Sequence, residues 1–92
     1  MSATAARAGR TVRVWVTDAW DTVELVVPED QTMREVKQRA LRQATGRDLP
    51  PDEYQVKFRG ALILDENRTL SALGIPDRAP LIVLPARRRP VV

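Results

Sequence analysis

The stretch that decides the fold is FRGALILDENRTLSALGI, residues 58–75. Gly60 permits a tight turn after the first strand of this stretch, because glycine adopts positive φ at little cost. The apolar triplet Leu62–Leu64 predicts a short edge strand. Thr69 is suited to cap one helical turn, and Gly74 ends it. The stretch therefore predicts a strand, a turn, a short strand, a polar loop and a short helix.

Two runs of alternating apolar residues precede this stretch. They read VRVWV at residues 12–16 and TVELVV at residues 22–27, with a turn-like break at residues 18–21. Alternation with a period of two is typical of strands that bury one face. Trp15 falls on the face opposite the buried valines. The two runs predict a hairpin with one buried side.

A helix follows the hairpin, and its first turn carries a capping box. The Thr32 hydroxyl is placed to accept from the Glu35 amide, and the Glu35 carboxylate is placed to reach back to Thr32. Gly46 is a typical C-terminal stop. A single apolar stripe runs along the helix, at Met33, Val36, Ala40, Leu41 and Ala44.

Two further strands complete the set, at residues 54–58 and 81–84. In the first of them, the alternation puts Gln55, Lys57 and Arg59 on the outer face. In the last strand, Ile82 and Leu84 are predicted to face outward. The fold class is α+β, with one main helix packed across a mixed sheet of four to five strands. The predicted domain spans residues 11–85. It is preceded by a disordered arm, residues 1–10, and followed by a flexible basic tail, residues 86–92.

Composition excludes several function classes. The 92-residue chain has no cysteine and no histidine. It therefore lacks the usual nucleophile–base pairs and the commonest ligands of zinc, so we expect no metal, no cofactor and no enzymatic activity. No apolar run is long enough to span a bilayer, and the N-terminal residues do not resemble a secretory signal, so a cytoplasmic protein is expected.

The net charge of +3 is unevenly distributed. Residues 11–86 contain two more acidic than basic residues, so the excess of positive charge lies in the ends. Nucleic-acid binding favours a basic patch on a folded surface. Specific nucleic-acid binding is therefore not expected. The basic residues of the two ends are Arg7, Arg10, Arg87, Arg88 and Arg89.

The chain resembles ubiquitin between Val12 and Leu84, about four fifths of its length. The matching pieces, in order, are VRVWV, TVELVV, TMREVK, GRDLPPDEYQVKFRG and RTLSALGI. The resemblance implies a ubiquitin-like β-grasp, in which the first and last strands are parallel neighbours at the centre of the sheet. The composition, rich in alanine and arginine, suggests a bacterial source.

The resemblance also implies where partners bind. The apolar patch that the family presents on its outer sheet face has its central isoleucine at Lys57, with Ile82 and Leu84 beside it. A second family patch has its phenylalanine at Trp15. The candidate partner-binding residues are therefore Trp15, Trp20, Lys57, Arg59, Ile82 and Leu84, with Trp20 at the rim. The lysine in the centre implies a partner that differs from ordinary ubiquitin receptors.

Two further family positions concern charge and conjugation. The helix lysine falls on Lys37 and its aspartate partner on Asp65, which implies a structural ion pair. The two lysines best known for chain building fall on Ala61 and Asp77, where no amine is available. The terminal glycine pair falls near residues 89–90, which are arginine and proline and would not fit the passage of an activating enzyme. The tail residues of interest are Arg87, Arg88, Arg89 and Val92.

Two functions remain open. The first is a non-catalytic, monomeric ubiquitin-like protein that binds another protein through its outer sheet face. The alternative is a bacterial ubiquitin-like modifier that is conjugated through its C-terminus, possibly after processing. The partner would be a subunit of a complex in the first case, and an activating enzyme or peptidase in the second.

Overall fold

The structure is a computed structural model that describes residues 9–86. It contains five strands, two helices and two short 3-10 turns. The turns are Thr17–Ala19 and Pro51–Glu53. The strands are β1 (Gly9–Val16), β2 (Asp21–Pro28), β3 (Tyr54–Phe58), β4 (Ala61–Leu62) and β5 (Ala79–Pro85), and the helices are α1 (Met33–Thr45) and α2 (Leu70–Leu73).

The strands form one mixed sheet in the order β2-β1-β5-β3-β4. The first and last strands, β1 and β5, are parallel neighbours, and β5 occupies the centre. The other three pairings are antiparallel. Helix α1 packs across one face of this sheet. The predicted α+β class, with one main helix across a mixed sheet, is confirmed.

The buried face follows the alternation of the sequence. Every second residue of β1 from Val12 onward is buried, and β5 buries Leu81 and Val83 while Ile82 and Leu84 face the other way. Removing these apolar side chains from water supplies the main driving force for folding. The helix contributes four apolar residues to the core, Met33, Val36, Ala40 and Leu41, and Ala44 packs against it as a partly buried residue.

Local capping determines where the helices begin and end. The Thr32 hydroxyl accepts from the Glu35 amide at 3.2 Å, and the Glu35 carboxylate accepts from the Thr32 amide at 3.0 Å. Gly46 ends α1 with φ of 77°, a conformation that favours glycine. In α2, the Thr69 hydroxyl accepts from the amide of Ala72. The predicted caps are confirmed.

Two residues of the predicted N-terminal arm belong to the first strand. Gly9 and Arg10 are part of β1 and not of an N-terminal arm. The Arg10 guanidinium contacts the Glu29 carboxylate at 2.8 Å and donates to the Ile75 carbonyl at 2.7 Å. These partners are distant in sequence, so the local composition of the N-terminus gave no sign of them. The rest of the predicted arm, residues 1–8, lies outside the described residues.

Other boundaries differ as well, and β5 starts at Ala79, two residues earlier than predicted. β4 comprises Ala61 and Leu62 instead of residues 62–64, because the two-residue turn after Phe58 brings Ala61 directly opposite it. At the other end, the Ala86 amide donates to the Glu53 carbonyl at 2.8 Å. Ala86, which was predicted to belong to the tail, is therefore hydrogen-bonded to the domain. No helix in residues 9–86 is long and apolar enough to cross a membrane.

Candidate functional site

The outer sheet face carries a row of side chains that crosses four strands in register. Trp15 of β1 lies beside Ile82 of β5, Ile82 lies beside Lys57 of β3, and Lys57 lies beside Leu62 of β4. Directly paired residues in a sheet point to the same side. We call these four residues, Trp15, Ile82, Lys57 and Leu62, the outer row.

The outer row is partly accessible to solvent along its whole length. Trp15 is 38% exposed and Leu62 is 39% exposed, while Ile82 and Lys57 are half-buried between them. Leu84 lies two residues beyond Ile82, is also half-buried, and pairs with Gln55. The structure therefore brings Trp15, Lys57, Ile82 and Leu84 together on one face, as the sequence predicted.

Trp20 lies at the rim of this face. Its indole is 81% exposed, and its ring centroid is 6.0 Å from that of Trp15, with the rings tilted by 53°. The backbone of Trp20 is left-handed, with φ of 52° and ψ of 41°. That conformation is rare for a bulky residue and stores local strain, which is a feature found at binding and catalytic sites.

A hydrogen bond from another strand anchors the turn that carries Trp20. The Tyr54 hydroxyl donates to the Asp18 carboxylate at 3.0 Å, which ties the start of β3 to this turn. Burial, reinforced by the hydrogen bond to Asp18 and its negative charge, raises the pKa of the Tyr54 hydroxyl above its ordinary value near 10. The neutral phenol is thus the form that the folded state favours.

The raised pKa of Tyr54 predicts a loss of stability at alkaline pH. The unfolded chain releases the phenol proton first, so the free energy of unfolding should fall as the pH rises above about 10 and through the folded pKa. Denaturant titrations at several alkaline pH values would measure this slope. Tyr54 is the only tyrosine, so tyrosinate absorbance reports its titration directly. A slope that is unchanged in Tyr54→Phe would contradict this assignment.

Arg59 does not join the outer face, contrary to the prediction. It lies in the turn between β3 and β4 with φ of 55°, followed by Gly60 with φ of 81°. Its guanidinium carbon is 5.0 Å from the ring centroid of Phe58, which packs against the core. The left-handed turn breaks the alternation of β3, so the rule that put Arg59 beside Lys57 no longer applies.

Sequence reasoning missed Leu62 as a member of this face. The sequence pattern predicts only an edge strand for the triplet at residues 62–64. The signal was available in the Arg59–Gly60 pair, because a two-residue hairpin loop fixes the register and places Leu62 opposite Lys57. The four tail residues of interest, Arg87, Arg88, Arg89 and Val92, lie outside the described residues.

The cations of the outer face, Arg13 and Lys57 among them, differ in their partners. The Arg13 guanidinium is 3.5 Å from the Glu24 carboxylate, with both side chains largely exposed. Lys57 has no ion-pair partner within residues 9–86. Its ammonium is therefore an unneutralised charge within an otherwise apolar row.

The buried Lys37 has a different partner from the predicted one. Its side chain is 2% exposed, and its ammonium forms an ion pair with Glu66 and donates to the Tyr54 carbonyl at 2.8 Å. Asp65, the position implied by the resemblance, instead accepts from the Asn67 amide and the Arg68 guanidinium at the surface. The pair joins helix and loop as expected, but the carboxylate comes from the next residue.

The described residues hold no group of three or more acidic side chains that could bind a metal ion.

The described residues also form a shallow groove of about 260 Å³ next to the Lys37–Glu66 pair. Its lining includes Tyr54, Leu62 and Leu64. Leu64 is exposed at its mouth. Leu62 belongs to both the outer row and this groove, whose lining also includes the polar Asp52, Gln55 and Glu66.

Solved structures with the same architecture identify the fold. The chain is similar to a ubiquitin from Caldiarchaeum subterraneum, with a TM-score of 0.72 and 19% identity, covering 90% of this chain and 100% of that one. It is similar to the ubiquitin-like domain of an Arabidopsis thaliana protein, with a TM-score of 0.71 and 17% identity, covering 100% and 93%. It is also similar to a designed protein based on ubiquitin, with a TM-score of 0.70 and 21% identity, covering 91% and 96%.

No protein-family model matches the chain, and no curated protein matches it in sequence. At identities this low, structural similarity establishes architecture and not a shared activity. Together with the parallel β1–β5 pair and the helix across the sheet, these matches show that the chain has the ubiquitin-like β-grasp fold.

Proposed function

We propose that this chain is a non-catalytic ubiquitin-like protein that binds another protein through the outer face of its sheet. The observation that carries the proposal is the outer row, in which Trp15 and Ile82 form a continuous apolar strip next to the exposed Trp20. Tryptophan is enriched among the residues that dominate binding energy at protein interfaces. A cytoplasmic location is part of the proposal.

Catalysis is not part of the proposed function. The whole chain lacks cysteine and histidine, and Ser71, next to the capping Thr69, belongs to the short helix α2. A hydroxyl needs an adjacent base to become a nucleophile. No such pairing is found for Ser71 in the described hydrogen bonds, whereas the Thr69 hydroxyl is used as a helix cap.

Removal of single outer-face side chains should weaken partner binding strongly without unfolding the domain. Trp15→Ala and Leu84→Ala each remove a side chain that is only partly buried, so the core is left intact. Loss of a central anchor typically costs 2 kcal/mol or more of binding energy, roughly a 30-fold weaker complex. The measurement is capture of partners from the native host by the N-terminally tagged full chain, followed by affinity measurement with the partner identified.

Arg42→Ala is a suitable control for this experiment. Arg42 lies on the exposed side of α1, where it contacts Asp48 at 2.9 Å, away from the sheet. The Arg42→Ala variant should bind the partner as tightly as the unchanged chain does. Full binding by both Trp15→Ala and Leu84→Ala would refute the assignment of this face.

Conjugation through the C-terminus is the alternative function. It makes a different prediction for the intact mass of the chain recovered from its host. A single species with the mass of the full sequence supports a non-covalent binding function. A trimmed terminus or a covalently heavier species supports conjugation as a modifier. The residue at the new junction would then identify the chemistry of attachment.

A further inference from the structure

Lys57 is a half-buried cation at the centre of an interaction face. It is flanked in register by Ile82 on β5 and by Leu62 on β4, and no carboxylate in residues 9–86 forms an ion pair with it. Arg13, another cation on this face, is paired with Glu24. The unpaired charge of Lys57 is therefore a specific property of the outer row.

Any partner that covers the outer row must also cover this ammonium. A charge removed from water without a compensating partner is strongly destabilising. A carboxylate is the best compensation, because charge-assisted hydrogen bonds are roughly twice as strong as neutral ones. The surface that fits the outer row is consequently apolar with one acidic side chain set within it.

The spacing of the strands favours a helix as the element that carries this surface. Neighbouring strands are about 4.8 Å apart, and an α-helix rises about 1.5 Å per residue, so each strand spacing corresponds to roughly 3.2 residues of helix. This number is close to the helical period, so a helix lying across the strands keeps one face over the sheet. Each strand then meets one residue of that face, about three or four positions after the last.

We propose that the partner docks an amphipathic helix across the outer row, with apolar residues over Trp15, Ile82 and Leu62 and an aspartate or glutamate over Lys57. This inference rests on the proposed function and specifies the chemistry of its partner. In helix numbering the pattern is an apolar residue at i, another at about i+3, the acid at about i+7 and an apolar residue at about i+10. The same pattern in the opposite chain direction fits the row equally.

A second copy of this chain is a poorer occupant of the face. A two-fold dimer centred on the outer row would bring the two Lys57 side chains close to each other near the axis, since both copies use the same patch. Like charges that face each other without an acid between them are destabilising. The charge of the row thus favours a different, acid-bearing partner.

The test uses a displayed library of helical peptides as the probe. Four positions at the proposed spacing are varied among apolar, acidic, basic and amide residues, in both chain directions, and binders to the full-length protein are selected. We expect the position over Lys57 to become acidic and the other three to become apolar. Replacing the acid by its amide in the best peptide should weaken the dissociation constant by about tenfold or more.

Substitutions in the protein then show whether Lys57 recognises the acidic residue of the peptide. In Lys57→Met, the acidic and amide peptides should bind equally, because the charge is gone while the apolar stem is largely kept. In Lys57→Glu, a peptide with lysine at that position should regain binding. Arg47→Met is the matched control: it removes one positive charge from an exposed residue beyond the end of α1 and should preserve the preference for the acid.

The possible contrary outcomes separate this inference from the proposed function. Selected peptides without an acid, an acid preference that persists in Lys57→Met, or selection of non-helical peptides or of none would overturn the inference. If such peptides still lose affinity with Trp15→Ala, the outer face stands as a docking surface and only the partner chemistry is wrong. If neither Trp15→Ala nor Leu84→Ala weakens the affinity of these peptides, the proposed binding face is wrong as well.

Discussion

Replacing Lys37 by alanine should destabilise the domain by about 3–5 kcal/mol, a large fraction of the stability of a small protein. The ammonium is nearly inaccessible and serves two acceptors, the Glu66 carboxylate and the Tyr54 carbonyl. Alanine leaves both acceptors without their donor and leaves a cavity where the aliphatic stem packed. Denaturant unfolding followed by the fluorescence of Trp15 and Trp20 would measure the change.

Lys37→Met separates the two contributions. Methionine fills a similar volume, so its loss of stability should be clearly smaller than that of alanine if packing matters, and the remainder reports the ion pair. The corresponding control is Lys57→Met, which removes a half-buried lysine that has no ion-pair partner in residues 9–86. A loss of less than about 1 kcal/mol for Lys37→Ala would show that this pair does not hold the helix to the loop.

Replacing Glu66 by alanine should cost about 3 kcal/mol, whereas replacing Asp65 should cost less than about 1 kcal/mol. Glu66 is the carboxylate that neutralises the buried ammonium, and its side chain is 17% exposed. Its loss leaves the charge of Lys37 with only the Tyr54 carbonyl. Asp65 has a largely exposed side chain, and its ion pair with Arg68 is also at the surface.

The matched pair of acids decides which neighbour is the structural partner. Both variants remove one negative charge from the same loop, so the difference between their free energies of unfolding cancels the effect of net charge. In the double variant Lys37→Met with Glu66→Ala, the cost should be well below the sum of the single costs, because the two residues interact directly. Equal losses for Glu66→Ala and Asp65→Ala would contradict the structure at this point.

The choice between these two acids also shows how far the resemblance extends. It correctly implied that the helix lysine is tied to this loop, but it assigned the carboxylate by position. The backbone of the loop determines which of two adjacent acids points inward. In this chain the Asp65 carboxylate accepts from the Asn67 amide and the Arg68 side chain, which holds it at the surface. Glu66 is then left facing the helix.

The candidate site was predicted in the same uneven way. Alternation in β1 and β5 placed Trp15, Ile82 and Leu84 on the outer face, and the structure agrees. Arg59 was assigned by the same rule and lies elsewhere, because its positive φ ends the alternation. Leu62 was missed, because its place depends on the register of the β3–β4 turn.

The sequence alone determined those features that depend on residues only a few positions apart in the chain. Thr32 and Glu35 are three positions apart, and Gly46 ends its helix through its own backbone conformation. Alternating apolar residues likewise divide each strand into a buried and an outer side. Short-range geometry of this kind depends mainly on neighbouring residues, so a local pattern can predict it.

Only the tertiary structure decided which outer residues become neighbours. Trp15, Lys57 and Ile82 come from three strands that are far apart in the chain, and they meet because β5 lies between β1 and β3 in one particular register. A shift of one residue in any of these pairings would turn its side chains to the opposite face. The outer row, and a Lys57 ammonium without an ion-pair partner in residues 9–86, are therefore products of strand order and register, which no local pattern encodes.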